Sequence, residues 1–379
     1  MAVVIFKAVE RCNSNCVYCD VIKKHQDMTM SLETLERVFQ RINEYLSEDA
    51  GRHVAFTWHG GEVGLLRADY FRRAREYQDR HCPQTKDRIE HLVQSNLTLV
   101  NQALLDAFRA LGIEQIGSSF DPIPHIRGMG PRRDSDKYNR LFLEGVELLN
   151  ANGFTWGVIY VVHRQSLPMP LEIFHYLTNL NVRTQPNFNP VYLYGEDPHH
   201  LAITGEEFAD FLGAIFPVWW KHRDRYPAVK PFHGLVENLQ DRTRDLVCEQ
   251  SGGCSREWVY IGPEGLTAQC GRGGDYGIAS YGNIGDRSLE EILRDPQRDQ
   301  LVRRQWVLPR TECAGCRFWG ICHGGCPLDA YLAHRSYFRR APTCDGVRCF
   351  MERYFEPVTG LRVDFPPPLT EAVEAARVC

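Results

Sequence analysis

The sequence predicts an α/β fold: an open, partial (β/α)6 barrel followed by a smaller cysteine-rich region. Three observations lead there. Short apolar runs alternate with amphipathic helical stretches over roughly the first 200 residues, the rhythm of parallel strands joined by helices. About six such units can be counted, short of the eight that close a full barrel. From Cys248 onward that rhythm stops, and glycine and cysteine become frequent among short turns such as GPEG and GRGGDYG.

The elements follow in order. Val3–Phe6 is an apolar, strand-like run, and Ser31–Leu46 carries apolar residues at helical spacing behind a serine start signal, with Glu33 soon after. Val54–Trp58 predicts the second strand and Ala68–Arg80 a helix; Glu90–Gln94 and Asn101–Leu111 repeat the pair, with Gly112 as a helix stop. Gln115–Ser119, the helix Tyr138–Asn152 stopped near Gly153, and the strand Thr155–Val162 continue it. Leu171–Leu180 and Val182–Phe188 complete the last unit. This alternation implies right-handed crossovers, with functional groups gathered at the carboxyl ends of the strands. Beyond the barrel, Gly205–Lys221 predicts a bridging helix with Trp219 and Trp220, Ser288–Arg294 a brief helix, and Asp364–Cys379 a tail ending in a short helix-like piece. The expected domains are a barrel at 1–203, a helical bridge at 204–247, a cysteine-rich domain at 248–355 and a tail at 356–379.

Composition excludes several classes. At 43% hydrophobic and 24% charged residues the chain is neither disordered nor collagenous. Forty-four basic against 48 acidic residues leave a charge of −4, which calls for neither nucleic acid nor an anionic membrane. No apolar run reaches the length of a bilayer span, and the N-terminus lacks the basic region of a secretory signal. A cytoplasmic location is expected. In that compartment 14 cysteines do not read as a disulfide framework, and their clustering points to metal.

Cys12, Cys16 and Cys19 form C-x3-C-x2-C, with Tyr18 just before the last cysteine, on the loop that leaves the first strand. Three thiolates on one short loop can ligate three irons of a [4Fe–4S] cluster and leave the fourth iron open to the amino and carboxylate groups of a small molecule. The alternative is tetrahedral zinc, with His25 as fourth ligand. The motif resembles the signature of the radical S-adenosylmethionine (radical SAM) superfamily, whose fold is a partial, TIM-like (β/α)6 barrel. His59-Gly60-Gly61-Glu62 follows the second strand, where that family has a Gly-Gly-Glu segment holding the methionine amino group; Val63 stands where proline is common. The resemblance implies SAM contacts at Tyr18, Gly60, Gly61 and Glu62, and at the small polar residues Asn96 and Ser119 that end the third and fourth strands. His163-Arg164 and Asn187–Pro190 close the fifth and sixth strands and are further candidates.

The second cysteine group is Cys254-x10-Gly265-x4-Cys270, then Cys313-x2-Cys316-x5-Cys322-x3-Cys326, then Cys344. Its order and spacing resemble the seven-cysteine SPASM domain, and Cys248 just upstream makes eight thiolates. The resemblance implies two auxiliary [4Fe–4S] clusters, one held by Cys248, Cys254, Cys270 and Cys326, the other by Cys313, Cys316, Cys322 and Cys344. Full thiolate ligation suits electron transfer. Zinc knuckles are the alternative. Cys82 and Cys379 read as small buried hydrophobes, as does Cys349, for which an alternative cluster ligand and a reactive thiol are the other readings.

What the resemblance implies for function is reductive cleavage of SAM to methionine and a 5′-deoxyadenosyl radical, which removes hydrogen from an unactivated C–H bond. A donor such as flavodoxin or ferredoxin supplies the electron. SPASM-containing relatives act mostly on peptides or proteins, so the expected substrate is a peptide and the expected product a crosslink in a ribosomally made precursor. A formylglycine-type sulfatase maturase is the second reading, and a small-molecule dehydrogenase or epimerase the third. The maturases carry a proton-accepting aspartate where this chain has Gly271, and Asp275 is the candidate substitute. Only eleven residues precede Cys12, so no N-terminal peptide-recognition domain is expected. A leader would then bind the barrel, the bridging helices or a separate peptide-recognition protein.

Overall fold

The computed structural model describes residues 1–19, 21, 26–180, 186–193, 195–226, 228–241 and 246–367. His25, Cys379 and the expected helical piece of the tail lie outside these residues.

The strands are β1 (Ala2–Val9), β2 (Val54–Gly60), β3 (Ile89–Gln94), β4 (Gln115–Ser119), β5 (Thr155–Val162), β6 (Asn187–Pro190), β7 (Trp258–Ile261), β8 (Leu266–Ala268) and β9 (Ser280–Asn283). They form one open nine-stranded sheet in the order β6-β5-β4-β3-β2-β1-β7-β8-β9. Pairings from β1 to β5 are parallel, as the alternation predicts. Of the expected sixth strand, Val182–Phe188, residues 182–185 lie outside the described residues; among those described the strand is Asn187–Pro190. The last three strands are the main departure from expectation. β7 pairs in parallel with the free edge of β1, Val3 opposite Trp258 and Phe6 opposite Ile261, and β8 and β9 add on antiparallel. An open barrel leaves unpaired N–H and C=O groups along that edge, and β7 covers them. The GPEG segment is the hairpin turn, closed by the Gly262 N–H donating to the Leu266 carbonyl at 2.9 Å, with Gly265 at φ +79°.

Helices α1 (Leu32–Ser47), α2 (Arg67–His81), α3 (Gln102–Ala110) and α4 (Ser135–Ala151) connect the strands. Ser31 caps α1 by accepting from the Thr34 N–H at 3.1 Å, and Asn101 caps α3 by accepting from Leu104 N–H at 3.0 Å. Helix α4 starts at Ser135, ahead of the expected Tyr138, because Asp134 caps it through the Lys137 N–H at 2.9 Å. Alternate residues of the sheet face the helices: Phe6, Phe56 and Trp58 stack at centroid separations of 4.6–5.1 Å, and Phe71 of α2 reaches Trp58 at 5.0 Å. The opposite parity, including Thr57, His59, Gln94, Ser119 and Asn189, faces a cavity.

Contacts divide the chain into two compact units. The first is Met1–Val161, Asn181–Tyr192 and Arg256–Arg298, which holds the sheet. The second is Val162–Leu180, Leu193–Ser255 and Asp299–Cys379. It contains α5 (Pro170–Thr178), α6 (Gly205–Lys221) and α7 (Phe232–Asp241), with short helices after them. Its core is aromatic: Phe216 lies 5.1 Å from Phe232 and 5.2 Å from Phe355, and Phe232 stacks on Phe350 at 5.8 Å. Within it α6 crosses the helix Cys344–Phe350 so closely that a Cβ on Gly346 would fall 2.3 Å from the Gly205 carbonyl oxygen. Among the described residues no helix is long and apolar enough to cross a membrane.

Candidate functional site

The carboxyl ends of the barrel strands surround a cavity of about 370 Å³, within the ordinary range for ligand pockets. Its walls bring together Cys12, Cys16 and Cys19, the Gly60–Glu62 segment, and Tyr18, Asn96 and Ser119. All were singled out in the sequence.

The Gly-Gly pair has a packing reason. Gly61 N–H donates to the Val9 carbonyl at 2.9 Å and Glu62 N–H to the Arg11 carbonyl at 3.0 Å, so the turn after β2 lies directly on the chain that leads into the cysteine loop. A Cβ on Gly60 would fall 2.4 Å from the Val9 oxygen, and one on Gly61 2.2 Å from the Glu10 oxygen. Only glycine permits that approach.

Glu62 is a buried strut. Oε1 accepts from Gly64 N–H at 2.8 Å and from the Ser95 hydroxyl at 2.7 Å, and Oε2 accepts from Asn96 N–H at 2.7 Å. Burial pushes its carboxyl pKa up against the pull of these donors and of Arg127. Of roughly four acceptor positions on a carboxylate, the protein fills three. Asn96 reaches the other way: its Nδ2 donates to Asn13 Oδ1 at 2.9 Å and to Ser14 Oγ at 3.1 Å, and it lies 3.9 Å from the Cys12 sulfur. The amide thus shapes the cysteine loop as well as the cavity wall. Ser119 Oγ accepts from Gln94 Nε2 at 3.2 Å. His59 Nδ1 accepts from Gly60 N–H at 2.9 Å, and burial with Lys7 nearby lowers its pKa to about 4, so the ring is neutral with its proton on Nε2.

Arg127 escapes sequence reasoning, since it sits in an irregular loop with no periodic signal. Its Nη1 donates to the Tyr18 hydroxyl at 2.9 Å, its guanidinium lies 4.9 Å from the Tyr138 ring, and it faces the cavity. Cys16 is among the charges that hold it protonated. Its Nε is buried with no partner among the described residues. Burial first, then the charges of Glu62, Cys16 and Cys19, push the Cys12 thiol up to about 12. Three cysteine sulfurs lining one cavity call for a cationic partner, and the orphaned Arg127 donor calls for an anionic one. The residues therefore fit an iron–sulfur cluster carrying a ligand with a carboxylate. Among the described residues no three His, Cys, Asp or Glu side chains close in as one ion requires; the thiolates of a cubane stand farther apart.

Asp275 does not line this cavity. Its Oδ1 accepts from Lys7 Nζ at 2.5 Å, and Lys7 also pairs with Glu10 at 2.7 Å; all three side chains are at most 5% exposed. Cys270 Sγ accepts from Gly273 N–H at 3.4 Å in the same unit.

In the second unit Cys313 packs with Leu308, Trp319 and Cys316. Cys322 and Cys344 share a thiol hydrogen bond that lowers the Cys344 pKa to about 7 and raises that of Cys322. Cys313 is pushed up to about 11 by burial, and it feels both Cys344 and Cys316. The four cysteines assigned to the second auxiliary cluster are thus brought together. Cys248 is exposed, and Cys254 and Cys326 share the neighbourhood of Arg304. Arg164 pairs with Glu207 at 3.0 Å. Cys82 and Cys349 are buried thiols, Cys82 donating to the Phe39 carbonyl at 3.5 Å.

Residues 7–177 match the sequence profile of the Radical SAM superfamily. This region is a radical SAM domain. It contains the cysteine loop, the Gly60–Glu62 turn and Arg127. The chain is similar to the serine-type anaerobic sulfatase-maturating enzyme of Bacteroides thetaiotaomicron, 23% identical over 84% of this chain and 81% of the relative. It is also similar to the cysteine-type enzyme of Clostridium perfringens, 22% identical over 86% and 88%. Among solved structures, native anSMEcpe with bound AdoMet and Cp18Cys peptide superposes at a TM-score of 0.80 with 20% identity, covering 95% of this chain and 98% of that one. Streptococcus suis SuiB bound to its precursor peptide SuiA superposes at 0.62 with 13% identity, covering 90% and 75%. The radical SAM domain and the open sheet therefore share their fold with these proteins.

Proposed function

We propose that this chain is a radical SAM maturase acting on a peptide, and that it forms a crosslink in a ribosomally synthesised precursor. The observation that carries the reading is the convergence of the cysteine loop, the Glu62 strut and the buried Arg127 on one cavity. When bound there, a [4Fe–4S] cluster and SAM supply one-electron cleavage and a hydrogen-abstracting radical. The chain does the rest. Cys12, Cys16 and Cys19 hold the cluster, and Asn96 fixes their loop. Arg127 orients the ligand's carboxylate, while Tyr18, Gly60, Gly61, Glu62 and Ser119 frame it. Ile159 and Val161 make part of the wall apolar, which keeps water from the reacting hydrogen.

The reading extends to the remaining cysteines. Cys313, Cys316, Cys322 and Cys344 hold one auxiliary [4Fe–4S] cluster, and Cys248, Cys254, Cys270 and Cys326 another, within a SPASM domain at 248–355. A bridge at 204–247 joins it to the barrel domain at 1–203. A flavodoxin or ferredoxin is the electron donor, the peptide's leader binds the barrel, the bridging helices or a separate recognition protein, and the enzyme works in the cytoplasm.

A formylglycine-type activity is the second reading, supported by the sulfatase-maturating relatives. Against it, Gly271 offers no carboxylate, and Asp275 is engaged with Lys7 away from the cavity wall. Anaerobically reconstituted protein, given dithionite, SAM and a precursor-type peptide rich in Cys and Ser, should yield 5′-deoxyadenosine and a peptide lighter by a pair of hydrogens. A product that reacts with a hydrazide carries an aldehyde and favours the second reading. Absence of 5′-deoxyadenosine overturns both. Cys16→Ala should abolish SAM cleavage, whereas Cys322→Ala should keep uncoupled cleavage and lose product.

A further inference from the structure

The helix Asp299–Val307 in the second unit carries Arg304, whose side chain is 1% exposed. No carboxylate pairs with it among the described residues. Instead its Nη1 donates to the carbonyls of Tyr337 and Arg339, and its Nη2 to those of Gly324 at 2.7 Å and Gly325 at 3.1 Å. Its Nε is buried with no partner among the described residues. A guanidinium placed this deep without an anion is costly.

The counter-charge is supplied by cysteine sulfurs once they ligate iron as thiolates. Burial lowers the Arg304 pKa, while Cys326 first, then Cys313, Cys254 and Cys322, favour its protonated form as thiolates; two of these belong to each assigned set, and the geometry at Gly324 ties the guanidinium to Cys313 of the second. The turn between Cys322 and Cys326 explains the closeness. His323, Gly324 and Gly325 are all left-handed, at φ +50°, +77° and +73°, which aims two successive carbonyls at the guanidinium. A Cβ on Gly324 would lie 3.3 Å from Arg304 Nη2 and 3.7 Å from Cys313 Sγ, so cation and sulfur flank the same glycine.

We propose that Arg304 is the positioning cation of the site formed by Cys313, Cys316, Cys322 and Cys344, and that its buried charge raises the reduction potential of the cluster held there. The inference rests on the auxiliary-cluster reading above. Four thiolates make the site net negative, and reduction adds a further electron to it. A cation shielded from water stabilises the reduced form more than a surface charge does. Arg340 provides the internal contrast: it also approaches Cys344, at 3.9 Å, but its side chain is 41% exposed and water screens it.

The test is EPR-monitored redox titration and iron counting on anaerobically reconstituted Arg304→Gln, Arg304→Lys and Arg340→Gln. Both Arg304 variants lose the forked donor; only the lysine keeps the charge. Arg304→Gln should disfavour reduction of one cluster about tenfold relative to Arg304→Lys, ~59 mV more negative for a one-electron couple. Arg340→Gln should shift it less. Equal potentials for the Gln and Lys variants would overturn the proposal. Should Arg304→Gln lose about four irons, retention of them by Arg304→Lys still supports a requirement for charge, and loss from both overturns it. Cys322→Ala tests the underlying reading separately: if it leaves the iron content unchanged, the cluster assignment itself fails, whatever Arg304 does.

Discussion

Two buried charged side chains organise the radical SAM cavity, and each exposes a different weakness. Glu62 satisfies the N–H groups of Gly64 and Asn96 and the hydroxyl of Ser95. Glu62→Ala strands all three donors, each worth roughly 1–3 kcal/mol when buried unpaired. We expect a total cost of about 3 kcal/mol, read from urea unfolding of the apo-protein, because relaxation and water entry recover part of the loss. A variant as stable as the parent would show that the carboxylate is not a strut. Arg127 is a different case, since its Nε has no protein partner among the described residues. Arg127→Gln should therefore cost little more than its Tyr18 hydrogen bond, about 1 kcal/mol of stability, yet weaken SAM binding by about 10- to 100-fold, or roughly 1.5–3 kcal/mol, in calorimetric titration of the cluster-loaded protein. Unchanged affinity would remove Arg127 from the ligand site. Neither role was open to a reader of the sequence to the same degree. Glu62 announces itself through the two glycines before it, whereas Arg127 becomes meaningful only when it meets Tyr18, 109 residues away in sequence.

Strands and their crossovers show why part of the fold was legible. β4 and β5 fall at the predicted residues, Gln115–Ser119 and Thr155–Val162, because each follows a helix ended by a glycine, Gly112 at φ +84° and Gly153 at φ +73°. β7, β8 and β9 have three or four residues each, too few for a period to declare itself, and they lie among cysteines that draw the eye to metal chemistry. Packing between elements yields two expectations. Gly61→Ala would drive a methyl to 2.2 Å from the Glu10 carbonyl oxygen, prising the β2 turn from the cysteine loop, and should cost at least about 2 kcal/mol and most of the iron bound there. Iron analysis after reconstitution checks it. His91 joins β3 to its neighbours, its Nδ1 accepting from Trp58 Nε1 at 3.2 Å and its Nε2 lying 3.2 Å from Gln78 Oε1. Burial lowers its pKa to about 3, so the neutral ring is the folded form. Its stabilisation is complete above the unfolded value near 6.5 and is lost as pH falls below it toward 3. Unfolding of the apo-protein between about pH 6.5 and 5 should accordingly be less steep in His91→Gln, by up to ~1.4 kcal/mol per pH unit. Parallel curves would place the pH sensitivity elsewhere.

Across the first unit as a whole, the first strand is tied to chain made much later. Lys7 and Asp275 are separated by 268 positions, and the ion pair is buried on both sides. Lys7→Met leaves Glu10 and Asp275 as uncompensated carboxylates and should cost about 3–5 kcal/mol, whereas the triple replacement with apolar residues of similar volume should cost far less. Thermal unfolding of the two proteins distinguishes these outcomes, and equal losses would deny the pair its electrostatic role. The same architecture imposes a schedule on biosynthesis. β1 sits in the middle of the sheet with β2 on one side and β7 on the other. At roughly 5–20 residues per second, a ribosome needs about 10–50 seconds after Lys7 to deliver β7 and Asp275. Throughout that interval the half-built barrel offers a bare strand edge to its neighbours on the polysome, a hazard for any cell that makes the chain quickly.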